Sequence, residues 1–165
     1  MLNNKKYSFS FFHIVVYYMK KTYLPNHLSK EDKIKQKKEL LKSIKLYKKQ
    51  KYHTRKKIKS FKSKPSKHLK KVKQIYDIDP LIINQKLVKK TGCSKKVLKH
   101  IVKKGEGAYY SSGSRPNQTA RSWGIARLAS AITGGKSSKV DYHLLKQCDH
   151  TKKAYKLAIP STKQK

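Results

Sequence analysis

The residues of this sequence that could do chemistry are mostly cations. Lys and Arg total 43, whereas Asp and Glu total 8, so the formal net charge is +35. Lys and Arg displace counterions from phosphates, and binding to a polyanion is the chemistry that this composition favours. A preference for AT-rich codons does not explain the imbalance, because it would raise Asp and Glu as well. We therefore expect a polyanionic partner, with nucleic acid ahead of membrane headgroups and acidic protein surfaces.

The sequence offers little that supports catalysis. Its eight acids are scattered and form no close carboxylate pair for acid–base or two-metal chemistry. Residues 134–137 (GGKS) resemble the end of a phosphate-binding loop, but Ser130 occupies the position of the required earlier glycine, and the preceding segment is helical. We predict a protein that is not an enzyme and has no cofactor, metal or small-molecule substrate.

The two cysteines, Cys93 and Cys148, are far apart in a chain that does not resemble a secreted disulfide scaffold. Together with His100 and His143 they could supply zinc ligands, but their separations match no usual zinc finger. We predict a buried thiol, exposed imidazoles and a reducing compartment, without secretion.

Residues 87–102 have the pattern of a helix-turn-helix hairpin, with Gly92 in the turn and Ser94 capping the second helix. Lys95, Lys96 and Lys99 would then face outward, where a recognition helix meets a groove. An ordinary pair of antiparallel helices fits equally well. Lys side chains also suit phosphates better than base edges, so specific reading of sequence is not implied.

Gly105 should end the second helix of the hairpin, and Thr119 should cap the next helix. Residues 105–119 between them should form a long loop with small residues, two tyrosines and Arg115. Backbone N–H groups near Gly113 could form an anion-binding nest beside Arg115. Alternatively, Tyr109 and Tyr110 pack under the following helix, and Arg115 pairs with a carbonyl or an acid.

The four arginines are the strongest candidates for bidentate phosphate contacts or for holding the loop, because Arg persists in a chain that otherwise uses Lys. The full set of predicted nucleic-acid contacts is Arg55, Lys56, Lys57, Lys59, Lys62, Lys95, Lys96, Lys99, Arg115, Arg121, Arg127 and Lys136.

Helical periodicity predicts a mainly α fold in four parts: an apolar N-terminal extension (1–19), a Lys-rich helix and arm (20–76), a compact domain of about four helices (77–148) and a polar, fraying tail (149–165). Ser29 should cap the first helix, which presents a narrow apolar stripe of Ile34, Leu41, Ile44 and Tyr47. Residues 48–73 should form an extended arm that orders on a partner. We expect a fragment starting near Asp77 to fold alone.

Residues 7–19 form an apolar run that is too short to span a membrane and lacks a signal-peptide cleavage site. Two interpretations stay open. The run is either an upstream extension of a reading frame that starts at Met19, or a short interfacial or partner-binding segment.

Three strings resemble an uncharacterised domain family of giant DNA viruses and some large phages: GAYYSSGSRPNQT (107–119), SWGIARLAS (122–130) and TGGK (133–136). The resemblance runs from about residue 35 to residue 148 and includes Arg55, residues 60–61 and residues 91–93. The family has no assigned activity. The resemblance implies an origin in a large DNA virus and a place in the virion or its genome core, and it contributes no catalytic residue.

These observations predict a largely sequence-independent nucleic-acid-binding protein that packages or condenses a viral genome, with DNA more favoured than RNA. It would occur in the virion, or in the host cytoplasm and viral factory, with virion structural proteins as further partners. The alternative is a minor capsid protein whose basic arm binds acidic neighbouring subunits. A sequence-specific regulator depends on the hairpin alone.

Overall fold

The computed structural model describes residues 21–163, with side chains as far as Ile159, and this part contains eight helices and no strands. The predicted mainly α fold is therefore confirmed. The predicted N-terminal extension, including Met19, lies outside the described residues. None of the helices in the described part is long and apolar enough to cross a membrane. The helices are α1 (Lys30–Tyr47), α2 (Lys67–Tyr76), α3 (Gln85–Thr91), α4 (Lys95–Ser111), α5 (Ala120–Ile132), α6 (Lys136–Val140), α7 (Tyr142–Leu145) and α8 (Lys153–Lys163).

Three helices begin at the capping residues that the sequence predicts. The hydroxyls of Ser29, Ser94 and Thr119 accept hydrogen bonds from backbone N–H groups in the first turns of α1, α4 and α5. These bonds satisfy N–H groups that have no partner within the helix. Helix α3 ends at Gly92, whose φ of 71° is the left-handed conformation that glycine adopts without strain.

Helix α4 of the hairpin packs on α5, and its residues Leu98 and Ile101 are fully buried. Helix α4 was predicted to end at Gly105 but continues to Ser111. Gly105 instead allows two helices to approach closely, because a Cβ there would lie 2.6 Å from the Cα of Gly124 in α5. The predicted loop 105–119 is therefore helical over its first half and irregular only over residues 112–119.

The hydrophobic core continues across the predicted boundary at Asp77. Helix α2 packs on α5, and its residues Val72 and Tyr76 belong to the same core as Leu98. The Tyr76 hydroxyl donates a 2.6 Å hydrogen bond to the Ile132 carbonyl, and burial raises the pKa of this phenol. A division at Asp77 therefore cuts through packed side chains.

Helix α1 packs on α4 through a different stripe from the one predicted. Gln36, Leu40 and Ser43 are buried, whereas Ile34 is 57 % exposed. The segment after α1 also packs, because Ile58 is fully buried. The predicted free arm is thus attached to the rest of the fold.

The predicted polar tail is a packed helix, because Ala154 and Ala158 of α8 are fully buried. The prediction of a buried free thiol is wrong. Cys93 and Cys148 form a disulfide, since the turn of the hairpin meets the end of α7 with the two Cα atoms 4.3 Å apart. The backbone N–H of Asp149 donates to the Gly92 carbonyl at 2.8 Å and fixes the same junction.

Candidate nucleic-acid interface

The hairpin presents a basic face on α4. Lys95, Lys96 and Lys99 are exposed, while Val97 and Leu98 between them are buried. The α-helical period separates these two sets onto opposite sides of the helix. Two of the lysines also lie in the first turn of α4, where the helix dipole adds partial positive charge. The predicted outward orientation of these lysines is confirmed.

Nearly all the acids hold the protein's own structure. Seven of the eight accept a hydrogen bond or pair with a cation within the chain. They are Asp32, Glu39, Asp77, Asp79, Glu106, Asp141 and Asp149. The carboxylates therefore leave most of the surface lysines without a negative partner, and the net charge faces outward.

Arg127, a predicted phosphate contact, is instead part of an internal ion-pair cluster. Its Nε and Nη2 donate to the two carboxylate oxygens of Asp141 at 2.7 and 2.8 Å, and Lys104 Nζ lies 3.1 Å from the same group. Burial raises the pKa of Asp141, but the hydrogen bonds from Arg127 and Lys104 outweigh burial and hold the pKa below its ordinary value. Because Asp141 is completely buried, its two cations are committed to it.

Arg55 is also committed to internal contacts. Its Nη1 donates to the Tyr109 carbonyl at 2.9 Å, and its Nη2 donates to Ser114 Oγ at 2.6 Å. The guanidinium carbon lies 3.6 Å from the centre of the Tyr109 ring, a cation–π geometry. Burial lowers the pKa of Arg55 below its ordinary value. In this arrangement the guanidinium is occupied by internal contacts, and the phosphate contact of Arg55 stays a prediction.

The other predicted contacts remain at the surface. Arg121 is 63 % exposed and lies 3.4 Å from Glu106. The Arg115 side chain is exposed and makes no hydrogen bond or ion pair to the residues that the structure describes. Exposed side chains also occur at Lys56, Lys57, Lys59, Lys62 and Lys136.

The arm carries four of these lysines, and its backbone is hydrogen-bonded to side chains of α1. The Lys56 N–H donates to Glu39 at 2.9 Å, and the Lys57 carbonyl accepts from Lys35 at 3.0 Å. For Glu39, burial raises the pKa, but the bonds from Lys56 and His53 outweigh it and lower the pKa overall. The backbone contacts leave the arm's own lysine side chains pointing into solvent.

Asn117 makes the contact that sequence reasoning missed. Its side chain accepts from the Ile58 N–H at 2.7 Å and donates to the carbonyls of Ile58 and Phe61 at 3.0 Å each. Asn117 has φ of 57°, a left-handed conformation that Asn tolerates better than most residues. An Asn next to Pro116 in a loop is the only signal in the sequence, and it indicates a turn, not a distant partner.

The 107–119 string is therefore a docking site for the arm. Tyr109 is fully buried, Ser114 accepts from Arg55, and a Cβ on Gly113 would lie 2.8 Å from the Leu40 side chain. No anion-binding nest is needed to explain these residues, because each of them contacts α1 or the arm.

The match to a known family covers the whole of this assembly. The family described as "Family of unknown function (DUF5824)" matches residues 21–152. The chain belongs to the DUF5824 family. The matched range includes α1, the arm, the hairpin and the disulfide, so the predicted membership of an uncharacterised domain family is confirmed. No curated protein and no solved structure matches the chain.

The chemistry available to this DUF5824 domain lies on its surface. Within residues 21–163, no group of three or more His, Cys, Asp or Glu side chains is placed to hold a metal ion. Every buried side-chain nitrogen or oxygen among the described residues has a hydrogen-bond partner, and the exposed lysines of α4 and the arm are directed outward. This arrangement suits electrostatic binding of an extended anion.

Proposed function

We propose that this protein is a non-enzymatic, largely sequence-independent nucleic-acid-binding protein. The observation that carries the proposal is the separation of charges. Seven acids have a hydrogen-bond or ion-pair partner within the chain, while Lys95, Lys96 and Lys99 are exposed along one helix of a helix-turn-helix-like hairpin. Lysines bind phosphates as mobile point charges, so the affinity should depend on salt much more than on sequence.

The biological setting is part of the proposal. A viral origin, suggested by the resemblance of the 107–136 strings, would place the protein in a virion or viral factory, where it packages or condenses DNA. The Cys93–Cys148 disulfide supports a virion location, because disulfides persist in virions and other oxidising surroundings. DNA is preferred over RNA only through the suggested origin.

The alternative function, a minor capsid protein, depended on a free basic arm. A minor capsid protein that threads a free basic arm across acidic subunits requires residues 48–73 to be available. In the structure Ile58 is fully buried, and Asn117 holds the backbone of residues 58 and 61. A docked arm favours the nucleic-acid function.

The decisive experiment measures duplex DNA affinity between about 50 and 200 mM salt for the full chain. The variant K95Q/K96Q/K99Q should bind more weakly, with a slope of log affinity against log salt reduced by up to about 2.7, or about 0.9 for each lost phosphate contact. The affinity should not vary much among DNA sequences.

The matched control is K67Q/K70Q/K71Q, which removes the same charge from exposed positions on α2. It should change the slope much less. An equal loss in both variants would show that the hairpin is not the interface. Absence of binding by the unmodified protein would refute the proposed function, and strong selection of one motif from random DNA would refute sequence independence.

A further inference from the structure

Three tyrosines form a cluster at the surface, at the end of the structure where α1 stops and α4 runs toward its C-terminus. The rings of Tyr47 and Tyr110 stack at 6.0 Å with an interplanar angle of 11°. Tyr52 meets the Tyr110 ring edge-on at 4.9 Å. Tyr52 is 71 % exposed, so this cluster presents an aromatic surface to solvent.

The cluster is built on a firm base. The Tyr110 ring stands perpendicular to the buried Tyr109 ring at 5.0 Å, and Arg55 covers Tyr109 from 3.6 Å. The turn between the first two tyrosines is closed by hydrogen bonds from Gln50 N–H to the Tyr47 carbonyl and from Lys51 N–H to the Leu46 carbonyl. A surface of rings that is ordered in advance loses little conformational freedom when a flat ligand binds.

Positive charge surrounds the tyrosines. Lys49 and Lys51 are exposed beside Tyr52 in the chain. On α4, Lys103 precedes Tyr110 by seven residues, so the two share a helix face and lie about 10 Å apart along the axis. Lys99 lies one further turn back on that face, which connects the tyrosines to the basic face of the hairpin.

Two acids of the described residues lie near the cluster, and both have partners. Glu39 lies 2.9 Å from His53, the chain neighbour of Tyr52. Glu106 precedes Tyr110 by one helical turn, and Arg121 pairs with it at 3.4 Å. Burial raises the pKa of the Tyr110 phenol, with Tyr109 and Glu106 acting in the same direction, so this ring remains neutral at physiological pH. The charge balance of the surface around the cluster is therefore positive.

We propose that the cluster of Tyr47, Tyr52 and Tyr110 is a stacking platform for unpaired bases of single-stranded nucleic acid, whose phosphates contact Lys49, Lys51 and Lys103. The inference depends on the proposed function and adds a substrate class to it. Every base has a π-face, so stacking on tyrosine tolerates any sequence. Bases inside a duplex stack on one another and are not accessible to the platform. The hairpin lysines serve duplex and single strands alike, whereas the tyrosines serve single strands only.

The test compares Tyr52→Ala with Tyr52→Phe in the full chain, using a single-stranded oligo(dT) and a duplex as probes. Tyr52→Ala should weaken oligo(dT) binding about tenfold and leave duplex binding unchanged, because stacking on one ring is lost. Tyr52→Phe keeps the ring and should retain single-strand affinity. Ile82→Ala, which truncates another exposed apolar side chain, should affect neither probe.

The outcomes separate this inference from the proposed function. Duplex binding with unchanged oligo(dT) affinity in Tyr52→Ala would overturn the platform and leave the proposed function intact. Equal losses for Tyr52→Phe and Tyr52→Ala would show that the hydroxyl acts by hydrogen bonding, which overturns stacking. Sedimentation of the protein alone as a dimer that Tyr52→Ala dissociates would assign the cluster to a second copy of the chain. Failure of the unmodified protein to bind either probe would refute both proposals.

Discussion

Arg55 and Arg127 occupy the opposite environment from the lysines in the first turns of α4, although the sequence presents all of them as cations. Arg127 is held by both oxygens of a fully buried carboxylate, and Arg55 by a carbonyl, a hydroxyl and an aromatic ring. Lys95 and Lys99 are exposed. The planar guanidinium satisfies several fixed acceptors at once, whereas the strongly hydrated ammonium favours water. In a chain with so few acids, the shape of the buried acceptors decides which cations become structural.

The largest effect that we predict is loss of the fold in a fragment that starts at Asp77. This fragment lacks Val72 and Tyr76 from the core and Ile58 from the arm. Its far-ultraviolet circular dichroism should show no cooperative thermal transition. Removal of residues 1–18 is the control and should leave the transition in place, because the family match begins at residue 21. A cooperative transition in the Asp77 fragment would show that the helix and arm before Asp77, including Arg55, are dispensable for folding.

The second prediction concerns the buried carboxylate. Asp141→Ala should lower the free energy of unfolding by about 3–5 kcal/mol, because it leaves Arg127 and Lys104 without their anion. Urea denaturation measures this change. The control is Asp79→Ala, which breaks an exposed pair with Lys73 and should cost less than about 1 kcal/mol. Similar losses of stability in the two variants would contradict the distinction between cations that pair with a buried carboxylate and cations in exposed pairs.

Arg55→Lys should lower the free energy of unfolding by about 2 kcal/mol in the same urea assay, an intermediate effect. One ammonium group cannot reproduce the contacts with the Tyr109 carbonyl, the Tyr109 ring and Ser114 Oγ. DNA affinity of the folded variant should be unchanged. A large loss of affinity without a loss of stability would return Arg55 to the binding surface.

The sequence predicts the elements of the fold better than their packing. Caps at Ser29, Ser94 and Thr119 and the turn at Gly92 are local signals, and the structure confirms each of them. The continuation of α4 through Gly105 is not a local signal, because it depends on how closely α5 approaches. The docking of the arm is not a local signal either. Its lysines indicate exposure to solvent, and Asn117, whose side chain accepts a hydrogen bond from the Ile58 N–H, is distant in the chain.

The candidate site was predicted in part. Outward lysines on α4 follow from helical period and a correct cap, so their exposure could be derived. The structural roles of Arg55 and Arg127 could not be derived from the sequence. The donor geometry of a guanidinium suits a phosphate and also suits a buried carboxylate or carbonyl. The pairing of Cys93 with Cys148 also depends on tertiary contact between the hairpin turn and the end of α7.

The smallest predicted effect on stability belongs to Arg115. This prediction tests whether the environment of an arginine, and not its residue type, determines whether it has a structural or a binding role. Its side chain is exposed and has no hydrogen-bonding or ionic partner among the described residues, in contrast to Arg55 and Arg127. Arg115→Ala should therefore change the free energy of unfolding by less than about 0.5 kcal/mol.

If this exposed arginine contacts a phosphate, the variant should reduce the slope of log affinity against log salt by about 0.9. Arg115→Lys should restore the slope, because counterion release requires only the charge. A destabilised Arg115→Ala variant would contradict the assignment and place Arg115 among the structural arginines. An unchanged slope would remove Arg115 from the interface.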